Sequence, residues 1–258
     1  MKKNFFFILS LILFWGLFLI KSFISFANDS VLNEKCIFDS KVKELENVLQ
    51  NPDPDYLKQY YLELNLRREI LSNVLDCLIA NTLSLKDNLS QINITNSFGG
   101  EIRNKIIKKL NEAQEYYEFR RDRVSDLTKD GLKYTAYSLK IDRESRFIPV
   151  ENIAQDFILW NKNNELFLFA QKRFEEINKA IQIFKPEENE DIRNLLNNTQ
   201  EKLAPAFEKH NLALNFISDF NHNEAKEFIN QSLEGLLDVY KTFYDLSQKA
   251  ISLIKINK

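Results

Sequence analysis

The chain has 258 residues, 44% of them hydrophobic and 28% charged, and its formal net charge is −2. Acidic and basic residues are interspersed along the sequence, which excludes the strongly basic surface that nucleic-acid binding requires. Only five glycines and five prolines interrupt the chain, so long secondary-structure elements are predicted.

The N-terminus has the pattern of an export segment. Two lysines are followed by an uninterrupted apolar run of 16 residues, from Phe5 to Ile20. At about 1.5 Å per helical residue, this run falls slightly short of a bilayer core of about 30 Å. Ser25 and Ala27 supply the small-x-small pattern that signal peptidase needs. We therefore predict that residues 1–27 are a cleaved signal peptide.

An uncleaved membrane anchor is the alternative for this segment. If the ammonium group of Lys21 reaches the lipid headgroups, the apolar span extends over residues 5–27. The lysines at the start of the chain stay in the cytoplasm in either case. Both alternatives export the rest of the chain, which is then periplasmic or extracellular, or anchored to the outer face of the cytoplasmic membrane.

Two helices joined by a tight turn are predicted next. Apolar residues at helical spacing mark the first, from Phe38 to Leu49, which ends at the sequence NPDPD. The second is predicted from Pro54 to Ser90, because leucines recur there at seven-residue steps, a period that no strand shows. This leucine seam can pack inside the chain or in a dimer. It consists of Leu57, Leu64, Leu71, Leu78 and Leu85.

The chain has two cysteines, Cys36 and Cys77, and an even number in an exported chain predicts a disulfide. If the two helices form a hairpin, Cys77 lies about 30 Å from the turn. Cys36 comes within disulfide reach only if residues 36–40 are extended and the first helix begins near Ser40. The alternative is two buried free thiols.

Four further helices are predicted from the same periodicity. They are marked by Ile106 to Leu127, Phe157 to Phe184, Ile192 to Ile217, and Ile229 to Ala250. Pro205 is expected to kink or split the third of these helices, because proline removes a backbone donor. The periodicity fails for long only over residues 131–151, which are predicted to be an irregular connection.

The predicted fold class is all-α. Each apolar stripe covers one face of its helix, and short connections make neighbouring helices antiparallel. We expect an elongated antiparallel bundle of five to six long amphipathic helices after the export segment. An N-terminal helical hairpin unit is predicted over residues 28–130, and a C-terminal three-helix unit over residues 152–258.

No stretch of the sequence carries the pattern of a catalytic, cofactor or metal site. The motifs GxGxxG, GxxxxGK[ST], GxSxG and HExxH are absent from it. The two histidines, His210 and His222, lack partners at metal-ligand spacing and are predicted to lie on the surface. We therefore expect no enzymatic activity, no cofactor and no metal ion.

The stretch from Leu212 to Glu234 has apolar or small residues at helical packing positions on both sides of a turn. With these residues it resembles a single tetratricopeptide-type helical hairpin, although Phe220 replaces the usual glycine and no second copy follows. The resemblance implies a tight hairpin of two helices. Its packing positions are Leu212, Ala213, Phe216, Ala225, Ile229 and Ser232.

These observations favour an exported, non-enzymatic helical-bundle protein of the cell envelope that acts as a protein-binding or structural module. Its long faces would engage a protein partner or a second copy of the chain, and a membrane only through an uncleaved N-terminal segment. The alternative is an extracytoplasmic small-ligand-binding or sensing bundle. Its ligand would lie between helices near Trp160, Phe167 and Phe169.

Overall fold

The computed structural model describes residues 39–94, 97–182 and 190–256 of the chain. These ranges contain helices and no strand, so the all-α prediction is confirmed for them. Residues 1–27 and Cys36, on which the export and disulfide predictions depend, lie outside the described residues. The α-helices are α1 (Asp39–Gln50), α2 (Tyr56–Gln91), α3 (Ser97–Asp122), α4 (Lys129–Asp142), α5 (Ile148–Gln182), α6 (Glu190–Ser218) and α7 (His222–Ile256).

Residues 131–151, predicted to be an irregular connection, are helical, so that prediction is wrong. α4 continues through a π-helical turn, Arg143–Phe147, directly into α5. A π-helical turn closes i→i+5 hydrogen bonds and so takes in an extra residue, which shifts the phase of the buried positions between Leu139 and Phe147. Pro149, which has no N–H to donate to the preceding turn, follows at once. No single helical period therefore fits this part of the sequence.

Two other helices differ in part from their predictions. α3 already includes Gly99 and Gly100, whereas Ile106 was the first residue that marked this helix in the sequence. α6 continues through Pro205 as one helix, so the split that was one of its two expected effects does not occur. The chain does leave the helical path after α3, through a 3-10 turn at Val124–Asp126.

The chain divides into two compact units, an N-terminal unit that ends at Gln155 and a C-terminal unit that begins at Asp156. The division falls inside α5 and not in a loop. Each unit has its own core of buried apolar residues, as independent folding units do.

In the N-terminal unit, α1 and α2 form an antiparallel hairpin. The side-chain amide of Gln59 donates to the Val48 carbonyl at 2.7 Å, and Lys41 lies 3.2 Å from Glu69. Asp55 caps α2 by accepting from the Leu57 N–H at 3.0 Å. The buried core of the unit consists of Leu64, Leu71, Leu75, Leu78, Ala113, Tyr117, Val124, Leu132, Leu139 and Phe147.

A buried carboxylate joins α4 to α2. Glu63 is only 4% exposed, and its carboxylate accepts a hydrogen bond from Arg67 Nε at 2.7 Å and another from Lys129 Nζ. Burial opposes the ionisation of Glu63, but the hydrogen bonds from Lys129 and Arg67 outweigh it and lower the pKa of this carboxyl. Arg68 adds a hydrogen bond to the Leu127 carbonyl at 2.8 Å. These contacts place the start of α4 beside the first half of α2.

The central part of the leucine seam of α2 packs inside the chain. Leu64, Leu71 and Leu78 are buried in the core of the N-terminal unit. Leu57, in the first turn of α2, is 63% exposed, and Leu85 is half-buried. The period of the leucines therefore identified the packing face of the helix correctly over its central turns.

In the C-terminal unit, α6 and α7 lie close together, and α5 packs against them through aromatic rings. α6 and α7 approach closely at Gly235, where an added Cβ would lie 2.7 Å from the Ala206 Cβ. α5 packs against this pair through Phe167 and Phe174. The buried core consists of Leu166, Phe167, Ala170, Ile177, Ile192, Ala206, Leu236, Val239, Phe243 and Leu246.

In the tetratricopeptide-like stretch, the turn between α6 and α7 has Phe220 at the position where glycine is usual. Phe220 has φ of 58°, the left-handed conformation that ends a helix and that glycine adopts most readily. The Asn221 N–H donates to the Phe216 carbonyl at 2.9 Å, and the Phe220 N–H to the Ile217 carbonyl at 3.1 Å. The chain thus makes the glycine-type helix end with a phenylalanine. Five of the six packing positions are buried or half-buried, and Leu212 is exposed.

We expect Glu63→Gln to lower the free energy of unfolding by about 2 kcal/mol or more, because it leaves Arg67 and Lys129 without their buried anion. Urea denaturation followed by circular dichroism measures this change. Glu69→Gln is the matched control on the same helix, since its pair with Lys41 is exposed and is weakened by water and salt. Equal effects of the two substitutions would contradict the role of Glu63.

Candidate functional site

A groove in the N-terminal unit, here named the α2–α4 groove, is the candidate binding site. It has a volume of about 370 Å³, which is within the range of sites that hold small ligands or side chains of a partner. Its floor is aliphatic and comes from α1, α2 and α4. The floor residues are Leu45, Ile70, Leu71, Val74, Leu78, Leu132, Ala136 and Leu139.

The rim of the groove is cationic. Arg67, Lys133, Lys140 and Arg143 complete the lining, and none of the described residues that line the groove is acidic. Three of the four cations belong to α4 and to the π-helical turn that follows it. A groove of this composition fits a ligand that has an apolar face and carries negative charge.

Helical periodicity explains why these residues share one groove. On α4 and the turn that directly follows it, Lys133, Ala136, Lys140 and Arg143 follow one another at steps of three and four residues, so they lie along one helix face. On α2, the same steps lead from Arg67 to Leu78. Each helix thus contributes one wall of the groove.

The rim cations have neighbouring acids, but two of these ion pairs are weak. Lys133 lies 3.6 Å from Asp130, and Lys140 lies 4.0 Å from Glu144, with all four side chains exposed. Exposed pairs of this kind contribute little because water and salt screen them. Lys133 and Lys140 can therefore exchange their present partners for a carboxylate of a ligand.

The π-helical turn places Arg143 between the groove and a half-buried acid. The guanidinium of Arg143 lies 3.6 Å from the carboxylate of Glu151. Burial raises the pKa of Glu151, while the charge of Arg143 opposes this shift. The Tyr116 hydroxyl donates to Asp142 at 2.5 Å and so holds the end of α4 against α3. This end of the groove is lined by Lys140 and Arg143, each of which has an acid nearby.

The aromatic residues that predicted a ligand pocket lie in the C-terminal unit and do not converge. Trp160 and Phe167 are buried, whereas Phe169 is 64% exposed. Two residues along a helix turn about 200° around its axis, which explains why Phe167 and Phe169 point to opposite sides. Trp160 and Phe167 instead surround a histidine.

His210, predicted to lie on the surface, is fully buried, so that prediction is wrong. Its ring stacks on Trp160 at 5.1 Å between centroids and lies 5.0 Å from the ring of Phe167. Trp160 Nε1 donates to the His210 carbonyl at 3.1 Å, but neither ring nitrogen of His210 has a hydrogen-bond partner. Burial lowers the pKa of His210 to about 4.

The sequence did contain a sign of this burial. His210 lies three and four residues before the buried Ala213 and Leu214 and four after the buried Ala206, on the apolar stripe of α6.

The second histidine, His222, is partly exposed and pairs with the buried Asp156 at 2.6 Å. Burial raises the pKa of Asp156, and its hydrogen bond with His222 opposes this shift. This pair was not predicted, because the two residues are far apart in the sequence.

Three further findings concern metals, membranes and cysteine. Among the residues that the structure describes, no group of three or more histidine, cysteine or acidic side chains could hold a metal ion. None of the described helices is long and apolar enough to cross a membrane. The Asn81 side-chain amide donates to Cys77 Sγ at 3.7 Å, whereas Cys36 lies outside the described residues, so the disulfide stays a prediction.

Comparisons of the chain with protein-family models, with curated proteins and with solved structures gave no match.

We expect acid to destabilise the protein through His210. An exposed histidine has a pKa of about 6.5, and that of His210 is about 4. Between these values the unfolded chain binds a proton that the folded chain does not, so the free energy of unfolding falls as the pH falls. The loss due to His210 is about 2 kcal/mol between pH 7 and pH 5.

The phenylalanine variant isolates this effect. His210→Phe keeps an aromatic ring in the cluster and leaves the Trp160 hydrogen bond to the backbone carbonyl in place. Urea denaturation of both proteins at pH 7 and pH 5 should show a smaller loss of stability in the variant. The pair of Asp156 and His222 is present in both proteins and cancels in the comparison. Equal losses would show that His210 is not responsible.

Proposed function

We propose that the chain is an exported, non-enzymatic helical-bundle protein of the cell envelope, whose α2–α4 groove binds a helical segment of a protein partner. The observation that carries this proposal is an aliphatic groove between two helices with a cationic rim. Grooves of this kind receive the apolar face of an amphipathic helix. Export is supported by the N-terminal apolar run and the small residues that follow it.

The lining of the groove supports binding more than catalysis. It contains leucine, isoleucine, valine, alanine, lysine and arginine, and among its described residues no histidine, cysteine, serine or acid. Nucleophilic and general acid–base catalysis commonly use those side chains. A protein partner is favoured over self-association through the leucine seam, because Leu64, Leu71 and Leu78 are buried inside the N-terminal unit.

A small-ligand-binding or sensing bundle remains the second candidate, and the volume of the groove favours it. A cavity of about 370 Å³ can hold a compact apolar ligand. This candidate now rests on the α2–α4 groove and not on Trp160, Phe167 and Phe169. Native mass spectrometry of the chain purified from its host separates the two candidates, since a bound small ligand adds a discrete mass of a few hundred daltons.

Photo-crosslinking in intact cells tests the protein-binding function. A photoreactive amino acid replaces Ala136, which lines the groove, in one variant. In the other it replaces Tyr137, which is 66% exposed on the same helix and does not line the groove. We expect a discrete protein adduct from position 136 and none from position 137. Lys133→Glu together with Lys140→Glu should remove the adduct. No adduct from position 136, or equal adducts from both, would contradict binding in the groove.

The intact mass of the native chain, taken without reducing agent from membrane and soluble fractions, tests export and the disulfide. We expect a chain that starts at Asn28 and is two hydrogens lighter than its sequence, because Cys36 and Cys77 are bonded. Such a bridge would stabilise the fold by about 4 kcal/mol through loop closure. A full-length chain confined to membranes would indicate an anchor, and a full-length chain in the cytosol would contradict export.

A further inference from the structure

We infer that the segment bound in the α2–α4 groove is an acidic amphipathic helix of the partner, with carboxylates seven residues apart on either side of a pair of apolar residues. This inference rests on the proposed function and specifies the chemistry of the partner. Its basis is the position of the four rim cations relative to the aliphatic floor.

The direction of α4 along α2 determines where the cations lie. Near the start of α2, Glu63 contacts Lys129, the first residue of α4. Further along α2, Leu78 lines the same groove as Arg143, which directly follows α4. The two walls of the groove therefore run in the same direction.

Because the walls are parallel, the cations form two groups. Arg67 and Lys133 belong to the end of the groove near the start of both helices, and Lys140 and Arg143 belong to the opposite end. The middle of the groove, between the two groups, includes Ala136. The groove thus has two cations at each end, each with a neighbouring acid, and an apolar surface between them. Of these cations, Lys133 and Lys140 hold their acids only in exposed pairs.

The spacing of the lysines matches the repeat of a helix. Lys133 and Lys140 are seven residues apart, which corresponds to about 10 Å along the axis of α4. A second helix that lies along the groove repeats each face after about seven residues as well. Acids at positions i and i+7 of the partner can therefore pair with both lysines, while residues i+3 and i+4 meet the floor near Ala136.

A partner of this kind fits better than an amphiphile with one charged head. A fatty acid would neutralise the cations at one end only, and its apolar tail would then lie against the cations at the other end. Covering those cations with an apolar tail is unfavourable, because they lose water and gain no anion beyond their present acids. An acidic helix supplies a carboxylate at each end and covers the floor between them.

The affinity of the full chain for synthetic peptides tests this inference. The probe is a fluorescent, helix-stabilised peptide with Glu at positions i and i+7 and Leu at i+3 and i+4. The matched peptide has the same composition, with its two Glu residues moved to the opposite helix face. Fluorescence anisotropy should show binding of the first peptide at least about tenfold tighter than of the second. Equal affinities would overturn the inference.

Variants of the chain test which lysines are used. Lys133→Glu together with Lys140→Glu should weaken binding of the acidic peptide about tenfold or more, whereas Lys108→Glu, exposed on α3 and outside the groove, should leave it unchanged. The doubly substituted chain should in turn bind a peptide with Lys at i and i+7. A misfolded variant cannot gain this affinity, so the charge exchange separates a loss of recognition from a loss of fold.

The outcome also separates the inference from the proposed function. If position 136 gives a protein adduct in cells but the acidic peptide does not bind, the groove binds a partner of other chemistry and the inference fails. If oleic acid binds in the groove and the acidic peptide does not, a single-headed amphiphile replaces the helix as the occupant. Binding of the acidic peptide that responds to the charge exchange supports the inference.

Discussion

The buried carboxylate of Glu63 is the contact on which the N-terminal unit depends most. A charged group so far from water is costly unless it is paired and hydrogen-bonded. Here one cation comes from the same helix, Arg67, and the other, Lys129, from the start of α4. The position of α4 is therefore tied to α2 by a buried charge that accepts one hydrogen bond from each of these helices. The groove lies between these two helices, so its position depends on this ion pair.

The helices of the two units are held together by different contacts. In the C-terminal unit, Gly235 and Ala206 bring α6 and α7 close together, and the rings of Trp160 and Phe167 pack against His210. In the N-terminal unit, an ion pair and a leucine seam hold the helices together and leave a groove between α2 and α4. Binding is thus proposed where the packing of large side chains is incomplete, and not where aromatic residues are most frequent.

The π-helical turn after α4 connects the fold to the candidate site. It follows α4 without a break in the helical path and places Arg143 on the rim of the groove, within 3.6 Å of Glu151. An α-helical turn in its place would rotate the following residues by about 100°, which would change the phase of Phe147 in the core. A local change in helix type thus serves both the packing of the unit and the charge at the end of its groove.

The sequence by itself determined most of the described helices and their packing faces, with α4 the exception, because hydrophobic periodicity is a local property that each helix carries in its own residues. The seven-residue repeat in α2 identified Leu64, Leu71 and Leu78 as buried. The prediction for residues 131–151 was wrong because a π-helical turn interrupts the helical period there. The predicted export segment is likewise a local pattern in the sequence.

Only the tertiary structure decided which faces meet. The pairing of Glu63 with Lys129 joins residues 66 positions apart, and the groove combines Arg67 with Lys133 and Arg143 from another helix. The burial of His210 likewise depends on Trp160 and Phe167 of α5. Periodicity tells which side of a helix is apolar but not which partner covers it. The candidate groove lies where α2 and α4 leave space between them, and α1 contributes Leu45 to its floor.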